Sequence, residues 1–182
     1  MIWAVAGSRR LPIGGAAVIC AALDALAPDR VAVGCCVGAD AAVLTSALAP
    51  RLLVFAAFGP GGSGACSLSA VSAVAHAAAA GAVVRWWAGG GPSVPLRARL
   101  AARTRSVVAA ASAGLLLFPA SPSSRGSWLA ARLAVARGLP VVAVPLGFPP
   151  ASLPSLGAGQ WVPSPLVPGG WRWLGGFSRR PV

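Results

Sequence analysis

Four short stretches of this chain hold side chains that could do chemistry. The first is GSRR, Gly7 to Arg10, directly after the apolar run IWAVA. A turn glycine, the Ser8 hydroxyl and the guanidiniums of Arg9 and Arg10 at the end of a strand have two readings: a plain surface turn, or an anion cradle in which the amides and dipole of a following helix add to their charge. The second is GCCVGAD, Gly34 to Asp40, in which Gly38 precedes one of only three acids in the chain. Asp40 there has two readings: it N-caps the next helix, or it hydrogen-bonds a sugar hydroxyl or base edge. The third is SSRGSW, where Ser124, Arg125, Gly126 and Ser127 lead into a helix with no acid in its first turns. Free amides and hydroxyls with one guanidinium suit a phosphate.

The fourth stretch is PLRARLAARTRS. Arg99 and Arg103 stand four apart, with Arg97 and Arg105 beside them and no carboxylate three or four residues on. Such a run is either a solvated helix face or a set of cations spaced for phosphates. Further along, Trp171, Arg172, Trp173, Arg179 and Arg180 interleave aromatic and basic groups, as single-strand binding surfaces do. Together with Arg97 and Arg99 they are candidate nucleic-acid contacts. His76, on an alanine-rich stretch without an acid neighbour, reads as structural. The cysteines, Cys20, Cys35, Cys36 and Cys66, form neither a CxxC nor a disulfide framework, so neither a metal site nor a cofactor is expected. With no Glu in the chain, Asp40 is the single candidate acid of the site, and one carboxylate without a nearby His gives little scope for acid–base work. The residues therefore lean away from catalysis while leaving it open.

The elements that must hold these loops follow from apolar runs broken by Gly and Pro. Strands are expected at 2–6, 30–36, 51–56, 82–86, 114–118 and 140–144, with helices at 16–27, 41–48, 66–80, 95–112 and 127–137. The strand runs are apolar throughout rather than alternating, which predicts burial on both faces. The expectation is an α/β, Rossmann-like three-layer sandwich with a mostly parallel sheet of about six strands, spanning residues 1–147. Each polar loop then falls where a strand hands over to a helix. The remainder, 148–182, is rich in Pro, Gly and Ser and shows no strand or helix period. It nonetheless carries Trp161, Trp171, Trp173 and Phe177, so it is expected to pack on the domain or on a partner.

Composition narrows the partner. The chain has 15 basic residues, all Arg, against 3 acids, a net charge of +12. A GC-rich genome accounts for Arg in place of Lys but not for the missing Glu, and an excess of this size points to a polyanion, of which nucleic acid is the commonest. The mean hydropathy of +0.76 raises membrane insertion. The two charge-free stretches, 66–84 and 106–124, are either Ala/Ser/Gly-rich or interrupted by Gly114, Pro119 and Pro122, unlike a bilayer span. No membrane partner is expected, and without a charged leader and apolar h-region the chain reads as cytoplasmic.

Taken in order, GSR, GxxxGAD, RxRxxAxRTRSVVAAASAGLLLF and SRGSWLAARLAVARGLPVVAVP resemble the core of the DNA-processing protein A (DprA) family, within the SLOG superfamily, over residues 1–147. Gly7, Ser8 and Arg9 match its first turn and Asp40 its acid. Arg103 and Arg105 match its R-N-R pair, with Thr104 in place of Asn, and Ser124, Gly126 and Ser127 approximate its S-G-S loop. Members of that superfamily bind nucleotides, nucleotide derivatives or single-stranded DNA, and often self-associate. The resemblance implies a non-catalytic module for single-stranded DNA or RNA, free-standing or in a nucleoprotein assembly, with a protein partner or a second copy of the chain. The alternative it implies is a nucleotide or nucleotide-derivative sensor or processing enzyme using the same pocket. The phosphoribohydrolase branch carries PGGxGTxxE with a catalytic Glu; FGPGGSG at 58–64 is similar to its first half only.

Overall fold

The computed structural model of the chain describes residues 1–175, so Phe177, Arg179 and Arg180 lie outside the described residues. Six strands run parallel: β1 (Ile2–Gly7), β2 (Arg30–Val33), β3 (Leu52–Phe55), β4 (Val83–Arg85), β5 (Gly114–Phe118) and β6 (Val141–Ala143). Five helices connect them: α1 (Gly15–Leu26), α2 (Ala39–Leu44), α3 (Leu68–Ala79), α4 (Leu96–Ala110) and α5 (Arg125–Ala136).

Strand residues divide alternately between two apolar layers, as the two-residue period of a strand requires. Val5, Val31, Val33, Leu116 and Phe118 pack with α1, α2 and α3 through Ile19, Leu23, Val43 and Val74. Ala4, Ala32, Leu115 and Leu117 pack on the other side with Val107 and Val108 of α4 and Trp128, Ala130, Ala131 and Ala134 of α5. Helices thus cover both faces, which is why β5 reads GLLLF and is buried at every position.

The sheet is larger than the six strands expected. Among the described residues it has eight, in the order β4-β3-β2-β1-β5-β6-β8-β7, because the Pro- and Gly-rich tail supplies β7 (Gly159–Pro163) and β8 (Trp171–Gly175). β8 pairs antiparallel with β6 through Val142 and Arg172, and β7 pairs antiparallel with β8. β7 is the outermost strand and ends at Pro163, a position where proline costs no ladder bond. The ribbon is anchored by tryptophans facing across it: Trp161 and Trp173 sit edge-on with ring centroids 5.3 Å apart, and Trp173 is buried in the layer beneath α5. No helix among the described residues is long and apolar enough to cross a membrane.

The connections place the site. From β1 the chain steps outward to β2, β3 and β4, then α4 carries it back to β5 on the opposite side of β1. Connections leave β1 and β5 in opposite directions, so a crevice opens at their carboxyl ends, the position where open α/β sheets take ligands.

Candidate phosphate-binding site

GSRR and SSRGSW do meet at this crevice. Gly7 pairs with Phe118, and the Ser8 amide donates to the Phe118 carbonyl at 2.9 Å. Ser8 Oγ accepts the Ala120 amide at 2.8 Å and shares a hydrogen with Ser124 Oγ at 3.0 Å. The hydroxyls of Ser8 and Ser124 thus latch the two loops together. GCCVGAD joins them, because the Ala39 amide donates to the Ser8 carbonyl at 3.0 Å. That approach needs Gly38, whose φ is 79° and whose position would put a Cβ 2.4 Å from the Ser8 oxygen.

Asp40 is not the N-cap that one reading of the sequence gave it. α2 begins at Ala39, which puts Asp40 in the first turn with its carboxylate buried. Oδ2 accepts the Cys36 amide at 2.9 Å and Nη1 of Arg103 at 3.2 Å. Arg103 reaches it from α4, is itself buried, and donates Nη2 to Cys36 Sγ at 2.9 Å. Gly34 makes room for this group: a Cβ there would stand 1.7 Å from Arg103 Nη1. Burial pushes the Asp40 carboxyl above the usual carboxylate value, while the charge of Arg103, the Cys36 amide and Arg9 pull it back. For Arg103, burial opposes the charge, but the Asp40 carboxylate and the two sulfurs beside it outweigh burial and raise its pKa.

Over this buried group lies a cavity of about 530 Å³. Asp40, Arg103 and Cys36 supply its polar wall, α4 and α5 supply Leu100, Thr104 and Leu129, and the exposed guanidiniums of Arg9, Arg97 and Arg125 complete the lining. A smaller recess of about 200 Å³ opens beside it at the start of α5, between Gly7, Ser8 and Arg9 on one side and Ser124 to Ser127 on the other. Ser124 is the N-cap residue but makes no side-chain cap bond, leaving the first amides of α5 without one. Ser127 lines this recess and is only 2% exposed, and its buried Oγ has no hydrogen-bond partner among the described residues. A buried hydroxyl left unpaired costs about 1–3 kcal/mol, so an acceptor that enters the recess recovers that energy.

No known family model and no curated protein matches the chain.

The remaining predicted residues divide. Arg10 is exposed in a groove outside the cavity, beside Ser8, Pro12 and Ser121. Arg105 is exposed on α4 but does not line the cavity; its neighbour Thr104 does. Arg99 turns inward: Nη1 donates to the Ala57 carbonyl at 2.8 Å, Nη2 to the Gly64 carbonyl at 3.0 Å, and the guanidinium stacks 5.1 Å from the Trp87 ring centroid. It fastens FGPGGSG to α4, and that glycine-rich loop takes no part in the cavity. Trp173 is buried, and Trp171 and Arg172 are half-buried in β8, two strands from β5 in the sheet, so this ribbon does not join the crevice. His76 is exposed on α3.

Thr104, Leu100, Leu129 and Cys36 are among the cavity residues that sequence reasoning did not place in the site. Thr104 and Leu100 share a helix face four residues apart, a signal hidden by the arginines around them. Among the described residues no three His, Cys, Asp or Glu side chains gather closely enough to hold a metal ion.

Proposed function

We propose that the chain is a non-catalytic, DprA-like Rossmann module that binds single-stranded DNA or RNA through phosphates at the β1/β5 crevice. The observation that carries this reading is the start of α5: uncapped amides, a buried unpartnered Ser127 hydroxyl, and Arg9 and Arg125 around the same recess. A helix N-terminus with these neighbours is an anion site by geometry and by charge. One backbone phosphate seats there, and the attached nucleoside enters the larger cavity against Leu100 and Leu129. Arg97 meets the next phosphate, and Arg105, exposed on the same helix, extends the cationic track. Asp40 and Arg103 spend their charges on each other beneath the ligand, which leaves no free carboxylate for general-base work and fits binding without turnover.

The test is fluorescence anisotropy with labelled single-stranded oligonucleotides across salt. Affinity is expected to fall by about tenfold or more between 50 and 200 mM salt, and Arg125→Gln and Ser127→Ala are each expected to weaken it. An affinity independent of salt overturns the reading.

One observation favours a second reading, a sensor of a nucleotide or nucleotide derivative. The main cavity is of a size for one nucleotide, and two of the four α4 arginines are consumed inside the fold. Thermal stabilisation by mononucleotides, with no affinity for oligonucleotides, selects this alternative.

A further inference from the structure

One cavity-lining group has no role in anion binding. Cys35 and Cys36 follow β2 after Gly34, and their sulfurs are treated differently by the fold. Cys35 is buried and its sulfur accepts the Ala57 amide at 3.2 Å. Cys36 is partly exposed and lines the cavity. Its amide is tied to Asp40, and its sulfur accepts Arg103 Nη2 at 2.9 Å. Arg103 is 8% exposed and lines the same cavity, and its Nε has no partner among the described residues. A desolvated guanidinium in contact with sulfur favours the thiolate, which is both the nucleophile and the stronger acceptor.

The groups that face Cys36 come from four elements. Cys35 precedes it in the chain, Arg103 approaches from α4, Arg9 from the loop after β1, and Asp40 from α2. The Cys35 side chain lowers the Cys36 pKa most; burial and the Asp40 charge oppose it, and Arg103 and Arg9 assist, bringing it from 9.0 to about 7. Cys35 moves the opposite way, pushed up by the neighbouring Cys36 and by burial.

We propose that Cys36 is a covalent modification site, a cavity thiolate that undergoes exchange with anionic small-molecule disulfides. The Cys36 thiolate attacks one sulfur of R–S–S–R. A Cys36 Sγ–S bond forms, the reagent's S–S bond breaks, and the second half leaves as R–S⁻ with the electron pair. Cys36 is oxidised to the mixed disulfide, the departing half is reduced to thiolate, and no proton is consumed. Selectivity for anionic reagents comes from Arg9, Arg97 and Arg125, which line the same cavity and concentrate negative charge beside the sulfur.

The experiment uses the Cys20→Ser/Cys66→Ser variant, which removes the two thiols remote from the cavity. Reaction with dithiobis(nitrobenzoate), an anionic disulfide, is followed by release of the coloured thiolate, and the adduct is located by peptide mass spectrometry. Neutral dithiodipyridine is the comparison reagent. A single adduct at Cys36 is expected, its rate rising through a midpoint near pH 7. Relative to a free small thiol, the anionic reagent should gain about tenfold over the neutral one, an advantage that salt erodes. Arg9→Gln, at an exposed position, should cut that advantage several-fold with the fold intact, and Cys36→Ser should abolish the adduct. Absence of an adduct in the folded protein, a midpoint at the ordinary 9.0, or equal preference for both reagents overturns the proposal. No nucleic acid enters this assay, so its failure leaves the nucleic-acid reading standing, and the reverse.

Discussion

The two faces of α4 carry the same residue in opposite circumstances. Arg99 and Arg103, with Val107 beyond them, point into the fold; Arg97 and Arg105 remain in solvent. The inner pair has no partner on its own helix, yet every bond it makes crosses to a distant segment: Arg99 to carbonyls of the loop after β3, Arg103 to Asp40 and Cys36. Guanidinium stays charged at any accessible pH, so an inward arginine is tolerated only with such a set of acceptors. Arginines of the outer face need none and keep their charge for a ligand. The chain's net charge therefore overstates what is on offer to a polyanion, and burial decides which cations count.

The largest break of this comparison is Asp40→Ala. It leaves Arg103 buried without its carboxylate, and a loss of about 3–5 kcal/mol in denaturant-induced unfolding is expected. Pairing it with Arg103→Met should restore much of that loss, because removing both charges avoids the stranded cation. A single substitution that costs less than about 1 kcal/mol would mean that the pair is not desolvated.

Next comes Arg99→Ala, expected to cost about 2–3 kcal/mol because it leaves the Ala57 and Gly64 carbonyls short of a donor and uncovers Trp87. Arg99→Lys should recover little of it, since an ammonium cannot fork to two carbonyls and stack at once. Recovery by Lys to wild-type stability would show that charge alone matters there.

On the outer face, Arg97→Gln and Arg105→Gln are expected to move stability by no more than about 0.5 kcal/mol. Their effect belongs to binding. Each should reduce the salt slope for single-stranded oligonucleotides by about one, Arg97 with the greater loss of affinity because it alone of the two lines the cavity. Equal losses would put the bound strand across the whole outer face instead of at the crevice.

This division also marks where the sequence was readable. The inner parallel strands β2, β3, β5 and β6 were legible because both of their faces are largely buried, so apolar residues run together between Gly and Pro punctuation; the loops at their carboxyl ends followed from the same runs. β7 and β8 were not, because an antiparallel ribbon with glycine at one end and Pro163 at the other carries no apolar run, and its tryptophans read equally as core or as surface. Side-chain partners were the least legible. Arg103 and Asp40 are 63 residues apart and Ser8 and Ser124 are 116 apart, distances over which no spacing rule operates. The periodicity of α4 shows which arginines share a face, while only the docking of α4 on the sheet shows which face turns inward.

The smallest effect comes from the second ion pair, and it sharpens the comparison by contrast. Asp29 bonds the Met1 ammonium at 2.7 Å, as short a contact as any in the crevice, but both groups are open to solvent. The ammonium's hydrogen bond and charge lower the Asp29 pKa from 3.8. A depressed carboxylate pKa contributes stability above its unfolded value, and that contribution disappears as pH falls through the folded value. Asp29→Asn should therefore lower stability slightly at neutral pH and leave the acid end of a stability–pH curve unchanged, and the loss should vanish in moderate salt, where water and ions screen the pair. Asp40→Ala should keep its effect at the same salt, because its partner lies beneath the surface. If salt erased both effects alike, the distinction between inward and outward charge on which the binding reading depends would fail.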